Sequence, residues 1–250
     1  MKFSRITNHA ARTIQSELLD HLPETDPSAI RSRRDLQRVN WWMGNVSKVA
    51  RALNEARVRA GPRRFVELGA GDGTFFLGIA RLLGPGWKGS RALLLDRQEL
   101  VSSDTRVSLE ELGWQVQTVR ADVFETLPRL DERCDVMFTN LFLHHFPASR
   151  LQGLLRLAAT RTSLFVALEP RRSIQSLLFS RLLWFIGCNY VTRHDAVVSV
   201  QAGFREKELS SLWPREPGWQ CTERRAGQFS HLYVAQRSGS AGACLGTTTD

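Results

Sequence analysis

Three glycines stand close together in segment 65–75, which reads FVELGAGDGTF. An apolar run precedes them and a helix-like run follows, so the segment predicts a strand that passes through a tight turn into a helix. Glycine suits such a turn because it tolerates left-handed backbone angles and lets a ligand approach closer than any Cβ would permit. The pattern therefore predicts a nucleotide or nucleoside seat formed by Gly69, Ala70, Gly71 and Gly73.

The details of the turn discriminate between two classes of cofactor. The dinucleotide fingerprint G-x-G-x-x-G requires its third glycine where this sequence has Thr74, whereas here a glycine comes one residue earlier, at Gly73. An acidic residue, Glu67, precedes the first glycine by two positions. S-adenosylmethionine carries an ammonium and a sulfonium but no phosphate, so a nearby carboxylate attracts it and would repel a pyrophosphate. The turn favours S-adenosylmethionine, and a nicotinamide-dependent oxidoreductase is the less favoured alternative.

Polar side chains also follow the next predicted strands. Asp96 ends the second strand, roughly twenty residues after the glycine turn, which is the offset at which an acid accepts hydrogen bonds from ribose hydroxyls. Asp122 follows the third strand and could accept from an adenine amino group while Val123 or Phe124 packs on the ring, and Asn140 ends the fourth strand. These positions lie at the carboxyl ends of parallel strands, where doubly wound sheets bind ligands. Helix capping is the alternative role for Asp96 and Asp122.

The elements that must position these residues alternate between short apolar strands and helical segments, which is typical of βαβ units with a parallel sheet. The predicted parallel strands are Arg64 to Leu68, Arg91 to Leu95, Gln115 to Arg120, Val136 to Asn140 and Ser163 to Leu168. The predicted helices among and after them are Thr74 to Leu83, Gln98 to Leu112, Ala148 to Ala159 and Glu206 to Trp213. Two final strands, Trp219 to Arg225 and Ser230 to Gln236, flank a turn at 226–228 and are expected to pair as an antiparallel hairpin.

The regions outside the sheet complete the predicted organisation. One helix is predicted from Ile14 to Leu22, and a second starts at Asp26-Pro27-Ser28 and continues to Leu53 before Gly61-Pro62 closes the segment. The final residues are rich in Gly, Ser, Thr and Ala, which predicts disorder. The predicted division is a helical cap at 1–60, a sheet domain at 61–237 and a disordered tail at 238–250.

In this order, the motifs resemble those of class I S-adenosylmethionine-dependent methyltransferases, particularly small-molecule members similar to the ubiquinone/menaquinone methyltransferase group. The resemblance covers roughly 63–170 and rests on ELGAGDG at 67–73, Asp96, ADV at 121–123 and NLFLHHF at 140–146. It implies an α/β fold: a doubly wound, seven-stranded, mostly parallel Rossmann-like sheet with an N-terminal helical cap and an insertion after the fifth strand. It also implies S-adenosyl-L-methionine as the cofactor, with Asp96 on the ribose, Asp122 on the adenine and the glycine turn under the methionine portion.

The acceptor is expected to meet residues of the cap and of the insertion, which spans about 171–205. Asn40 and Trp42 lie upstream of the first strand, where relatives place residues that close over the cofactor or acceptor; core packing is their alternative role. The insertion is apolar almost all round, which predicts burial against the core or a lid over a greasy or aromatic acceptor, and less strongly a membrane-surface role. His194 could hold a polar end of the acceptor or cap a helix.

Methyl transfer from a sulfonium is an in-line displacement that requires no metal and no covalent intermediate, so positioning supplies much of the acceleration. Oxygen, nitrogen and carbon all stay open as the methylated atom. A general base helps when the acceptor is a phenol, a hydroxyl or an acidic carbon. His145 and His144 directly follow the fourth strand and are the candidate bases, with His145 preferred and a structural role as the alternative. We expect a small hydroxylated aromatic, polyketide or quinone-like acceptor and no metal site.

The composition bears on which other classes of function the protein could have. The chain has 250 residues, of which 42% are hydrophobic, enough for one sizeable core, and its longest apolar stretch, 177–191, falls short of the ~20 residues of a membrane span. The formal net charge of +9 invites a nucleic-acid role, but the arginines are scattered, so a small-molecule acceptor is favoured. A non-catalytic methyltransferase-like binding module stays an alternative. The four cysteines form no CxxC pair, which fits a cytoplasmic protein, and the oligomeric state stays open.

Overall fold

The computed structural model describes residues 11–56 and 63–238, and its centre is a seven-stranded sheet. The strands are β1 Arg64–Leu68, β2 Arg91–Asp96, β3 Gln115–Arg120, β4 Cys134–Asn140, β5 Thr162–Pro170, β6 Trp219–Ala226 and β7 Ser230–Arg237. Their order is β3-β2-β1-β4-β5-β7-β6; β1 to β5 run parallel, and β7 is antiparallel to β5 and β6. The predicted fold class, a doubly wound and mostly parallel seven-stranded sheet, is confirmed.

The inner strands form where the sequence predicts them because their residues are apolar almost without interruption. Such runs are expected for parallel strands that helices cover on both faces, and β1, β4 and β5 are buried along nearly their whole length. The predicted bounds differ little: β4 begins earlier, at Cys134, and β5 extends further, to Pro170. The predicted hairpin also forms, with Trp219 opposite Arg237 and Ala226 opposite Ser230.

Helices flank the sheet and form the segment before it. In the described part of the chain, the α-helices are α1 Pro27–Met43, α2 Asn45–Glu55, α3 Thr74–Leu83, α4 Ser103–Glu111, α5 Val123–Thr126, α6 Ala148–Arg161, α7 Ile174–Leu182, α8 Tyr190–Ala202 and α9 Glu208–Leu212. The start of α1 agrees with the sequence, since Asp26 accepts hydrogen bonds from two backbone N–H groups and Pro27 occupies the first turn. The prediction that this helix continues without a break to Leu53 is wrong. Gly44 adopts a left-handed conformation, with φ of 66°, and separates α1 from α2.

The helix predicted from Ile14 to Leu22 is also wrong. Only a short 3-10 turn, Leu19–His21, forms in this segment. The backbone N–H groups of Leu18 and Leu19 instead donate to the carboxylate of Asp195, at 2.8 and 2.9 Å. A contact with a residue far along the chain therefore replaces the local helical hydrogen bonds that the apolar spacing predicted.

Two further helices start later than predicted. The helix predicted from Gln98 begins at Ser103, because the hydroxyl of Ser102 accepts from a backbone N–H and caps it. The helix predicted from Glu206 begins at Glu208, because Glu206 itself adopts a left-handed φ of 53°. Both errors concern boundaries and leave the order of the elements unchanged.

The hydrophobic core has one layer on each face of the sheet. On the face covered by α2, α3 and α4, the rings of Phe65, Phe76 and Trp114 meet with centroids 4.9 to 6.1 Å apart. On the face covered by α6 and α9, Trp213 packs against Phe165 and Tyr233. Packing on both faces fixes the strands, so the side chains that follow β1, β2 and β4 are held at one edge.

The insertion after β5 folds into α7 and α8, which a turn at 183–189 connects. Burial against the core, one of its two predicted arrangements, holds only for the inner side: Leu177, Leu183 and Val191 are buried, whereas large apolar side chains on the outer side are exposed. No helix in 11–56 or 63–238 is long and apolar enough to cross a membrane. The closing Gly61-Pro62, residues 1–10 of the predicted cap and residues 239–250 of the predicted tail lie outside the described residues. The division into three regions stays a prediction.

Candidate functional site

A cavity of about 850 Å³ lies at the carboxyl ends of β1, β2 and β4, a size typical of small-molecule sites. Residues of segment 14–21 and of α1 cover it. Among the predicted cofactor ligands, those that line the cavity are Glu67, Gly69, Ala70, Gly71, Asp96, Asp122, Val123 and Asn140. The structure thus brings these residues together, while their roles toward a cofactor stay predictions.

The turn after β1 holds its backbone open toward this cavity. Gly69 and Gly71 have φ angles of 70° and 53°, which favour glycine. The N–H groups of Gly69 and Ala70 donate to the carbonyl of Leu95, at 2.9 and 3.2 Å, and so tie the turn to β2. A Cβ on Gly69 would stand 2.4 Å from the ring of Phe142, whereas a Cβ on Gly71 would meet no atom within 4 Å. Gly69 therefore permits close packing, and Gly71 leaves the cavity free beside its backbone.

Gly73 has a different environment from the other two glycines. It does not line the cavity, and it occupies the position before the first residue of α3 with a φ of 74°. A Cβ there would lie 3.2 to 3.3 Å from the side chains of Thr105, Leu94 and Val101. The structure therefore explains Gly73 by its conformation and by packing against α4 and β2, and its predicted contact with the cofactor stays a prediction.

Glu67 is a buried carboxyl group without a full set of partners. It is 2% exposed, and its Oε2 has no hydrogen-bond partner among the described residues, although the residue lines the cavity. Burial, and to a lesser extent the negative charges of Asp72 and Asp96, raises the pKa of Glu67 well above its ordinary value. A buried carboxyl oxygen without a hydrogen bond costs free energy, so a group that supplied the missing bond would stabilise this end of the cavity.

Asp96 and Asp122 combine the two roles that the sequence left open. Asp96 accepts from the backbone N–H groups of Gly71 and Gln98, at 2.8 and 2.9 Å, and Asp122 caps α5 by accepting from the N–H of Phe124 at 2.8 Å. Both side chains nevertheless line the cavity. An ionised carboxylate has about four lone-pair sites, so each can hold the backbone and still accept from a ligand.

A polar network joins the cap to the end of β4. Asn40 and Asn140 line the cavity, and the buried Asn45 donates to both, at 2.7 and 3.4 Å. Asn45 also accepts from Ser230, which in turn accepts from Lys48, both at 3.0 Å. Asn45 was not predicted as a site residue, because its neighbours in the sequence give it the appearance of an ordinary helix start.

His144 belongs to a buried chain of charges. Its Nδ1 lies 2.8 Å from Oε2 of Glu169, and its Nε2 lies 3.2 Å from Oε1 of Glu17. Glu169 also accepts from the backbone N–H groups of Phe142 and Leu143, at 3.1 and 2.8 Å. Burial opposes a charged imidazole, but the hydrogen bonds and charges of Glu169 and Glu17 outweigh it and raise the pKa of His144 to about 9. Since both ring nitrogens are engaged, the geometry argues against His144 as a general base.

His145 stands next to this chain of charges but faces the cavity. Its side chain is 25% exposed and lines the cavity, with its ring near that of Phe142. Its Nδ1 is 3.5 Å from Oδ2 of Asp20, beyond a strong hydrogen bond. Of the two predicted bases, His145 therefore has the access that proton transfer requires.

Glu17, His144 and His145 are the group among the described residues that could hold a metal ion. One ligand atom from each lies within 4.8 Å of the others. A metal here would have to displace the hydrogen bond between Glu17 and Nε2 of His144. Two members of the group, Glu17 and His144, are thus already paired with each other.

Two predicted acceptor residues do not line the cavity. Trp42 stacks on Phe179, with centroids 4.6 Å apart, and on Phe229, at 5.7 Å. His194 is partly exposed and bonds to its neighbour Asp195 at 2.9 Å. Their predicted contact with the acceptor stays a prediction. In the structure, Trp42 packs the cap on the insertion, and His194 bonds to Asp195, which holds segment 18–19.

Comparisons with known proteins place this geometry in a fold. No protein-family model matches the chain, and a search of curated proteins gives no match. Among solved structures, the chain resembles an O-methyltransferase family protein from Burkholderia thailandensis, with 18% identity, a TM-score of 0.54, and coverage of 85% of this chain and 60% of that one. It also resembles the plantazolicin methyltransferase BamL, determined with S-adenosylhomocysteine, with 11% identity, a TM-score of 0.61, and coverage of 87% and 92%.

Human N-acetylserotonin methyltransferase, determined with S-adenosylmethionine, is a third similar structure, with 15% identity, a TM-score of 0.53, and coverage of 88% of this chain and 61% of that one. The chain thus spans about 60% of the length of the first and third structures and nearly all of the second. At these identities, the likeness shows a shared fold.

Proposed function

We propose that this chain, which has the fold of S-adenosylmethionine-dependent methyltransferases, transfers a methyl group from that cofactor to a small hydroxylated acceptor. The observation that carries the proposal is the orphaned Oε2 of Glu67, buried beside the left-handed glycine turn at the cavity. A ligand ammonium there would supply the missing hydrogen bond and a favourable charge. A pyrophosphate would meet the side chains of Asp72 and Asp96 at the cavity and be repelled.

The residues present fit this cofactor in shape and in charge. The open space beside Gly71 would admit the methionine portion, and Asp96, which lines the cavity at the end of β2, would accept from ribose hydroxyls. Asp122 and Val123 line the cavity beyond β3 and are suited to the polar edge and the face of an adenine. When bound, S-adenosylmethionine supplies an electrophilic methyl group on a sulfonium.

The acceptor side of the cavity is aromatic. The rings of Phe142 and Phe146 line it and pack edge to face, with centroids 5.1 Å apart. His145 lies between them in the sequence and reaches the same cavity, so its ring nitrogen can take the proton that a hydroxyl loses on methylation. The similarity to an O-methyltransferase family protein supports oxygen as the methylated atom.

A methyl-transfer assay tests the proposal. The protein is incubated with S-adenosylmethionine labelled in its methyl group and with phenols, quinol precursors or RNA, and we expect label in the small aromatic compounds. His145→Gln should lower turnover by about 100-fold or more, the usual contribution of a general base, with unchanged affinity for S-adenosylhomocysteine. His194→Gln, outside the cavity, is the matched control and should leave turnover unchanged.

The alternative functions give different results in the same experiments. Label in RNA alone would indicate a nucleic-acid methyltransferase. Thermal stabilisation by NAD and not by S-adenosylhomocysteine would indicate an oxidoreductase. Binding of neither would leave a non-catalytic scaffold and would overturn the proposal.

A further inference from the structure

The outer side of the cap and insertion exposes an unusual set of large apolar side chains. We define the apolar face by Trp41 at the end of α1 and by residues of α7 and the turn after it: Ile174, Leu178, Leu182, Trp184 and Phe185. Trp41 is 82% exposed, Phe185 73% and Trp184 60%. Ile174, Leu178 and Leu182 repeat every fourth residue and so share one side of α7. Contiguous exposed apolar residues of this kind mark an interaction surface.

Two contacts hold α1 against the insertion. The guanidinium of Arg38 on α1 donates to the carbonyl of Ile186 in the turn at 2.8 Å. Trp42 on α1 stacks on Phe179 of α7, with ring centroids 4.6 Å apart. Trp41 and the exposed apolar side chains of the insertion therefore lie on two elements that pack against each other.

The exposed charges that α1 and segment 174–190 contribute beside the apolar face are positive, and one of them, that of Arg38, is paired with Asp35 at 3.1 Å. Within 27–43 and 174–190, which the structure describes completely, the only acidic residue is Asp35, and it is buried. The exposed charged side chains of these two stretches are Arg31, Arg34, Arg38 and Arg181. The face is therefore apolar at its centre and cationic around it.

We propose that the apolar face docks on the surface of an anionic lipid bilayer. Its aromatic and aliphatic side chains would lie at the boundary between headgroups and acyl chains, and the arginines would lie among anionic headgroups. A second copy of the chain fits less well, because a two-fold contact would bring arginines together without carboxylates to pair with them. RNA fits less well too, because Ile174, Leu178 and Leu182 offer a nucleic-acid backbone nothing to bind.

The orientation of α1 connects this surface to the cavity. Leu36 and Asn40 of α1 line the cavity, while Trp41 belongs to the apolar face. When the protein is docked by its apolar face, the cavity would lie close to the bilayer, into which apolar small molecules partition. The inference does not depend on methyl transfer, because none of the residues that define the apolar face lines the cavity.

Sedimentation of the full chain with lipid vesicles tests the proposal. We expect binding to vesicles of phosphatidylserine in phosphatidylcholine, with weak binding to phosphatidylcholine alone. The double variant Trp184→Ser and Phe185→Ser should weaken partitioning by about tenfold or more, since two large apolar side chains contribute more than the ~1.4 kcal/mol that tenfold represents. Arg34→Gln and Arg181→Gln should each weaken it about fivefold, the usual effect of one basic residue at an anionic surface.

Leu82→Ser with Val107→Ser is the matched control, because both residues are exposed apolar side chains outside the apolar face. This control should bind vesicles like the natural protein, and all variants should keep the thermal midpoint and the affinity for S-adenosylhomocysteine. Equal loss in the control, or no binding to anionic vesicles, would overturn the proposal. So would a dimer that Trp184→Ser with Phe185→Ser dissociates, or tight RNA binding abolished by that pair.

Discussion

The two strands on either side of β4 each carry a buried carboxyl group close to their carboxyl end. One of these carboxyl groups has hydrogen-bond partners and a cation beside it, and the other has an unpaired oxygen. Glu67 is the next-to-last residue of β1 and Glu169 the next-to-last residue of β5. Glu169 meets the His144 ring and backbone N–H groups, whereas Glu67 has an orphaned oxygen, and burial and its acidic neighbours raise its pKa. Glu169 thus has its cation within the chain. Among the described residues Glu67 has no such cation, and this difference supports the proposed binding of a cationic ligand at the β1 end.

The comparison predicts its largest effect at Glu169. Glu169→Ala leaves the charged His144 with one buried partner fewer and strips backbone N–H groups of their acceptor, so the free energy of unfolding should fall by about 3–5 kcal/mol. Urea denaturation measures this loss. Glu55→Ala, which removes an exposed ion pair with Arg224, should cost less than about 1 kcal/mol. Equal effects of the two substitutions would contradict the role of Glu169.

A smaller effect is expected at the cavity edge. In the natural protein, S-adenosylhomocysteine at 100 times its dissociation constant should raise the free energy of unfolding by about 2.7 kcal/mol. Asp96→Asn should abolish this gain, because the amide has one acceptor oxygen where the carboxylate has two. Asp104→Asn, on the exposed side of α4, is the control and should keep it. If S-adenosylhomocysteine still stabilised Asp96→Asn, Asp96 would not bind the ligand.

The pH dependence of the free energy of unfolding tests the ion pair between His144 and Glu17. The pKa of His144 is raised to about 9 from an ordinary 6.5, so its contribution is complete below pH 6.5 and is lost as the pH rises through 9. The pKa of Glu17 is lowered to about 2 from 4.5, because the bond and charge of His144 outweigh the burial that would raise it. Its contribution is present above pH 4.5 and is lost as the pH falls through 2.

We therefore expect this ion pair to stabilise the fold most between pH 4.5 and 6.5. The free energy of unfolding should decline by on the order of 2 kcal/mol from pH 6.5 to 9. His144→Gln should remove that alkaline decline, as measured by urea denaturation across the interval. A variant with the same slope as the natural protein would show that His144 is not charged in the folded state.

The smallest change in stability is expected at Glu67. Because burial favours its protonated form, Glu67→Gln preserves both shape and charge in the absence of ligand, and the free energy of unfolding should change by less than about 1 kcal/mol. Affinity for S-adenosylmethionine should nevertheless fall. A large loss of stability on Glu67→Gln would show that the carboxyl already has a partner and would erase its contrast with Glu169.

The contrast between Glu67 and Glu169 also explains how much of the fold and of the site could be predicted from the sequence. The glycine turn, Asp96 and Asp122 lie within a few residues of strand ends, so local patterns placed them at one edge of the sheet and predicted the fold. Glu17 and Glu169 are 152 residues apart and meet only through His144. No local pattern encodes such a contact, so the sequence offered His144 as a base and segment 14–22 as a helix. Gly44 and Glu206 were missed because a single left-handed residue decides a boundary that apolar spacing does not register.

Isothermal calorimetry on the natural protein tests most directly whether the β1 end of the cavity binds a cationic adenosine ligand. S-adenosylmethionine and NAD are titrated separately into the full chain. The structure predicts saturable heat with S-adenosylmethionine, weaker binding by Glu67→Gln, and no binding of NAD. Saturable binding of NAD with no heat from S-adenosylmethionine would contradict it.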